Sequence, residues 1–220
     1  MERGFSMLGF LGGTGPEGKG LALRYAIAGE TVIIGSRDSE RAANIARELS
    51  QIAPELKITG AGNLEVAGKS DVVFITVPYE GQKPLLGELE EALVNKLVIN
   101  VVAPLSFEQG RANAIKVDEG SAAEQAQSLL PRSVVVGAFQ NLSATQLLDP
   151  NHLMQGDVVV CGADKEAKTR VMEMVGMIKD LRAVDGGGLQ NARYVEELTA
   201  LILNINRIYK AHATIRIVGI

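Results

Sequence analysis

The chain has 220 residues, enough for one compact domain with an appendage and for a core that needs neither disulfide nor metal. Hydrophobic residues make up 46% and charged residues 22%, which excludes a disordered chain. A net charge of −4 with scattered basic residues excludes the basic footprint of a nucleic-acid binder. The single cysteine, Cys161, cannot form an intrachain disulfide and fits a cytoplasmic setting. With one cysteine and two histidines, His152 and His212, no metal site is expected. No apolar run approaches the roughly 18 residues of a membrane span, so no membrane partner is expected either.

Met1 to Ser6 reads as a short frayed extension. Met7–Leu11 is a strand that ends in glycines, Gly18–Ala28 a helix stopped by Gly29, and Thr31–Ile34 a second strand. Ser39–Gln51 is an amphipathic helix and Lys57–Gly60 a short strand. The continuous apolar run Asp71–Val77 has the character of a strand buried on both faces, as do Leu97–Val102 and Ser133–Val136. Val158–Cys161 is a strand, Lys165–Leu181 a helix capped by Asp164, and Arg182–Asp185 a strand. Asn191–Tyr209 is a long helix with a wide apolar face. The alternation predicts an α/β fold: a Rossmann-like, doubly wound, mostly parallel sheet with a C-terminal helical segment completing the cleft. Asn141–Gly156 alone reads as a long irregular connection. It divides a dinucleotide-binding unit, 7–140, from a segment, 141–220, that completes the sheet and a second-substrate cleft.

The motif with most chemistry is the G-x-G-x-x-G of Gly13, Gly15 and Gly18, placed between the first strand and the first helix. Gly13 allows the tight turn, Gly15 lets the backbone approach a pyrophosphate, and Gly18 lets helix and strand pack. The helix N-terminus offers free N–H groups to the phosphates. Gly20 stands where a nucleotide-triphosphate loop requires Ser or Thr, which excludes that reading. Where an NAD-binding unit places a carboxylate, this chain has Ser36 and Arg37, with Arg41 one turn on. A hydroxyl and guanidinium groups suit a 2′-phosphate, so NADP is favoured over NAD. Asp38 and Glu40 lie close enough to offer Arg37 a neutralising partner instead.

Weaker signals lie at the carboxyl ends of later strands, where open α/β sheets bind ligands. They are Val77, Pro78 and Tyr79 after one strand and Gln140 and Asn141 after another. Tyr79 suits the border of a nicotinamide or, equally, a turn at the edge of the core, and the two amides suit the polar edge of a ring. His212 is a candidate proton donor, but no nucleophile–base constellation appears and no catalytic side chain is expected; hydride transfer between bound cofactors needs positioning only.

The stretches GGTGPEGKGLALR, VIIGSRDSERA, DVVFITVPYE, VVVGAFQNLSA and VDGGGLQNARYVEELTALILNINRIYKAHATIRIVG resemble the deazaflavin-dependent (coenzyme F-420) NADP oxidoreductases over nearly the whole chain. The resemblance implies direct, reversible hydride transfer between NADP and the deazaflavin. It implies that Thr14, Gly15, Pro16 and Glu17 line the pyrophosphate, and that Ser36, Arg37 and Arg41 hold the 2′-phosphate. Val77, Pro78 and Ala144 would flank the nicotinamide, with the deazaflavin in a cleft closed by the C-terminal segment. The chain departs from the family pattern at Pro16-Glu17, where Asn-Leu is common, and at Tyr79, Gly186, Gly188 and Thr214. Two rival functions share the N-terminal half: reduction of an imine, ketone or metal chelate, and NADP sensing without turnover. The apolar face of the last helix predicts a homodimer.

Overall fold

The computed structural model of the chain describes residues 7–52 and 55–220, so the extension expected at residues 1–6 lies outside it. The first half alternates β1 (Leu8–Leu11), α1 (Pro16–Ile27), β2 (Val32–Ser36), α2 (Ser39–Ser50), β3 (Ile58–Gly62), α3 (Asn63–Lys69), β4 (Val72–Ile75) and α4 (Tyr79–Leu89). Next come β5 (Leu97–Asn100), a hairpin of β6 (Leu105–Glu108) and β7 (Arg111–Ala114), α5 (Ala122–Leu129) and β8 (Val134–Gly137). The rest is α6 (Ala144–Leu148), β9 (Gly156–Gly162), α7 (Lys165–Val175), β10 (Leu181–Asp185) and α8 (Ala192–Tyr209).

One eight-stranded sheet runs β3-β2-β1-β4-β5-β8-β9-β10. All neighbours pair in parallel except β8 and β9, which are antiparallel. The chain winds outward from β1 to β3, then crosses to β4 on the other side of β1. That reversal makes a crevice beyond the carboxyl ends of β1 and β4.

The apolar runs are continuous because both faces of the sheet are covered. Leu8, Phe10, Val72 and Phe74 point to the side packed by α1, α2 and α7. Leu11, Val73 and Ile75 point to the side packed by α3, α4, α5 and the start of α8. In a chain without Trp, four rings centre the first layer: Phe10 stacks on Phe74 at 4.5 Å, and Tyr25 and Phe139 lie within 6 Å of Phe74. Such ring pairs add about 0.5–1.5 kcal/mol each beyond the area they bury.

Several boundaries differ from expectation for local reasons. The strand read to Val102 stops at Asn100, whose Oδ1 accepts from the Val102 N–H and turns the chain. The helix read to Leu181 stops at Val175, with Gly176 as its cap. The stretch read as irregular contains α6, held to α1 by the buried Arg24. The Arg24 guanidinium donates to the carbonyls of Gln146, Leu147 and Asp149 at 2.7, 2.9 and 2.5 Å, a cation at a helix C-terminus. A Cβ at Gly20 would lie 2.5 Å from that of Leu147, so α1 and α6 meet closely there.

Candidate functional site

The turn after β1 is built from successive glycines with different work. Gly12, not Gly13, takes the left-handed conformation, at φ +67°. Its N–H donates to Asn63 Oδ1 at 3.2 Å, and Val77 packs over it. Gly13 is needed for closeness: a Cβ there would lie 2.8 Å from the Phe10 carbonyl oxygen. Gly18 meets Gly13 in the same way, with a Cβ falling 2.6 Å from its Cα and from Thr76 Oγ1. At Gly15, the cap of α1, a Cβ would meet only one atom, at 3.9 Å, so this glycine faces open space. The turn role given to Gly13 therefore belongs to Gly12, and Gly13 joins Gly18 as a packing glycine.

Two cavities meet at Thr76 and Val77, just beyond β4, and form one groove across the carboxyl ends of the sheet. The first, of about 520 Å³, is lined by Thr14, Gly15, Ser36, Arg37 and Arg41, with Pro78 on its other wall. Asn63, Glu80 and Glu88 also line it, although none was marked in the sequence. Asn63 follows β3 directly, as Thr76 follows β4. Ser36 is buried, and its Oγ accepts from the Asp38 N–H at 3.1 Å. Asp38 caps α2 by accepting from the N–H groups of Glu40 and Arg41 at 3.0 and 3.1 Å. Its carboxylate thus serves the helix end rather than the Arg37 guanidinium.

The second cavity, of about 490 Å³, is walled by Val77, Gln140, Asn141, Ala144, the α8 face at Thr199 and Asn206, and residues 211–213. Thr199 and Asn206 were not foreseen. Thr199 Oγ1 donates to the Gln140 carbonyl at 3.1 Å, and Asn206 Oδ1 accepts from the Ala213 N–H at 2.6 Å. The helix thereby fixes two other walls of the same cavity. The Gln140 amide donates to the Asn100 carbonyl at 3.3 Å, and the Asn141 amide to the Asp157 carbonyl at 2.9 Å. His212 is exposed on the rim, its Nδ1 3.3 Å from Ser143 Oγ.

Three buried oxygens of residues on this wall have no hydrogen-bond partner among the described residues: Glu17 Oε1, Gln140 Oε1 and Asn141 Oδ1. Buried acceptors left this way cost about 1–3 kcal/mol each, so they mark a place for a ligand with donors. Burial pushes the Glu17 carboxyl up to about 8. Glu17 therefore belongs to this second cavity and not, as the family resemblance implied, with Thr14 and Gly15 in the first. Pro16 is exposed at the first turn of α1 and lines neither cavity. Tyr79 is also absent from both: its hydroxyl accepts from Gln125 at 3.1 Å, and its ring packs with the core under α4. The expectation that Tyr79 borders a nicotinamide is corrected accordingly.

A family model described as "NADP oxidoreductase coenzyme F420-dependent" matches residues 7–104. The chain is 41% identical to the F420-dependent NADP reductase of Methanothermobacter marburgensis, over 89% of this chain and 90% of that protein. It is 37% identical to the F420-dependent NADP reductase of Methanocaldococcus jannaschii, over 94% of this chain and 95% of the other. A solved chain from Arthrobacter sp. FB24, provisionally assigned as an F420-dependent NADP reductase, superposes with a TM-score of 0.84 at 25% identity, covering 98% of this chain and 100% of that one. On this identity across nine-tenths of its length, the chain belongs to the coenzyme F420-dependent NADP oxidoreductases.

Proposed function

We propose that the protein is an oxidoreductase that moves a hydride directly between NADP and the deazaflavin coenzyme F420, with both held in the one groove. The observation that carries this reading is the pair of cavities joined at Thr76 and Val77: one bears a basic pair over a glycine turn, the other three unpartnered buried oxygens. Membership of the reductase family supports it, and nothing in the groove favours the imine, ketone, chelate or sensor readings.

The residues fit both groups. The α1 N-terminus, at Thr14 and Gly15, takes the pyrophosphate, and Ser36, Arg37 and Arg41 take the 2′-phosphate. Val77, Pro78 and Ala144 flank the nicotinamide. Gln140, Asn141 and the rim at His212 take the second ring, whose N–H edges answer the free amide oxygens. Bound NADPH supplies a hydride with its electron pair, and the deazaflavin accepts it. The protein positions the two rings, excludes water with the α8 face and residues 211–213, and needs no proton-donating side chain. Residues 7–140 act as the dinucleotide unit and 141–220 as the cleft-completing segment.

The reading includes a homodimer working in the cytoplasm. On α8, Val195 and Ile202 are buried while Leu201, Ile208 and Tyr209 are exposed, which leaves an apolar strip for a second copy. Among the described residues no helix is long and apolar enough to cross a membrane.

Deuterium placed at C4 of the reduced nicotinamide tests the transfer. Retention of the label on the reduced deazaflavin supports direct hydride transfer. Loss of the label to solvent contradicts it.

A further inference from the structure

Glu17 is the chain's own departure in the glycine turn, and it places a carboxyl on the wall of the second cavity. Oε1 is buried and has no hydrogen-bond partner among the described residues. A nonpolar residue would fill that wall without the desolvation cost of an acid. Thr76, Val77 and Ala144 line the same cavity, and the last two flank the nicotinamide in the reading above.

We propose that Glu17 is a charge-sensing residue for the nicotinamide: it stays a neutral acid beside the reduced ring and ionises more readily beside the cationic oxidised ring. This rests on the assignment of the groove to NADP. The consequence is a pH-dependent choice between the two forms of the cofactor. As pH rises, ionised Glu17 favours bound NADP+ over bound NADPH.

The surroundings isolate this effect. Glu17 and His212 are the only titratable residues among those described that line the cavity. The end of β4, residues 140–145 and the α8 positions on the wall carry no charge. On its own helix, Arg24 is turned to the carbonyls of α6, and Lys19 does not line either cavity. Arg37, Arg41, Glu80 and Glu88 face the first cavity, where the nucleotide phosphates lie in this reading. Those phosphates oppose ionisation of Glu17, but they are common to both cofactor forms. The difference between the two complexes is the charge of the ring. Burial already holds the carboxyl at about 8, so the change falls within an accessible pH range.

The dissociation constants of NADP+ and NADPH are measured at pH 6 and pH 9 for the native protein and for Glu17→Gln, which keeps the shape and removes the titration. In the native protein the preference for NADP+ over NADPH should rise at least about fivefold between these values, since each unit of pKa difference between the complexes is worth about tenfold. The Glu17→Gln variant should show a flat ratio. Proton release on binding at pH 8, read by calorimetry in two buffers, gives an independent measure on the native protein: more protons should leave with NADP+ than with NADPH. Equal slopes in native and Glu17→Gln proteins, or equal proton release for the two nucleotides, would overturn the proposal alone. Failure of both nucleotides to bind would overturn the NADP assignment and this inference with it.

Discussion

Asp157 and Arg182 face each other across β9 and β10 as a bidentate pair, with Nε to Oδ1 at 2.9 Å and Nη2 to Oδ2 at 2.7 Å. Asp157 is 1% exposed, and the Arg182 hydrogen bonds and charge hold its carboxyl below the usual range. The pair also holds residues 211–220 in place. Asp157 accepts from the Ile217 N–H at 2.5 Å, and Arg182 donates to the carbonyls of Ile217 and Ile220 at 2.5 and 2.9 Å. This segment supplies Ala211, His212 and Ala213 to the second cavity.

Replacing Asp157 with Asn should therefore loosen the second cavity and spare the first. The apparent KM for the deazaflavin should rise roughly tenfold while the dissociation constant of NADPH stays unchanged, and limited proteolysis should cut within residues 211–220 sooner. Because the Asp157 carboxyl is held low, the same release in the native protein should appear only in acid, as pH falls through its folded value. An equal loss for both ligands would show that the pair supports the fold generally.

The 2′-phosphate assignment makes a sharper demand. Arg37→Ala should weaken NADPH by about 1.5–3 kcal/mol, the worth of a charge-assisted contact, and leave NADH binding nearly unchanged. Parallel titrations of the two nucleotides check this, and equal losses would remove Arg37 from the phosphate site.

Gly15 and Gly18 share a motif but should fail differently. At Gly15 the space beyond Cα is open, so Gly15→Val should keep the native melting temperature and abolish NADPH binding. At Gly18 an added Cβ would fall 2.6 Å from Gly13 Cα, so Gly18→Val should destabilise the fold itself by about 1–3 kcal/mol or more. Thermal melts with and without NADPH separate the two outcomes.

Much of this frame was legible in sequence. The runs at β1, β4 and β5 are apolar throughout, so both faces had to be covered, and alternation with helices then gave the parallel sheet. The short α6 and the hairpin of β6 and β7 were not legible, because their stability comes from distant contacts. Arg24 and Gly20 on α1 hold α6, and Asn204 on α8 bonds both the N–H and the carbonyl of Ala112. In the site, Ser36 and Arg37 could be placed by counting from a strand end. Tyr79 and Glu17 could not, since which way each side chain turns depends on Gln125 and on the cavity that α8 closes.

The contribution of Glu196 to stability should fall as pH rises from about 4.5 to about 7. Glu196 is 2% exposed and accepts from the N–H groups of Ala122 and Ala123 at the start of α5. Burial outweighs those bonds and raises its carboxyl to about 7. Below about pH 4.5 both folded and unfolded forms are protonated; above it the unfolded chain ionises first, so stability is lost until pH passes about 7. The loss is on the order of 3 kcal/mol. Glu17 adds a contribution of the same sign that extends to about pH 8. Urea midpoints between pH 5 and pH 8 should fall in the native protein and fall less in Glu196→Gln. A native midpoint that does not change over this range would contradict the assignment.

The most direct test of the central claim is the absorbance of the oxidised deazaflavin on mixing the protein with NADPH. The band should bleach in step with NADPH oxidation, and Arg37→Ala should slow the bleaching at limiting NADPH. Tight binding of NADPH with an unchanged deazaflavin band would contradict hydride transfer between the two in this groove.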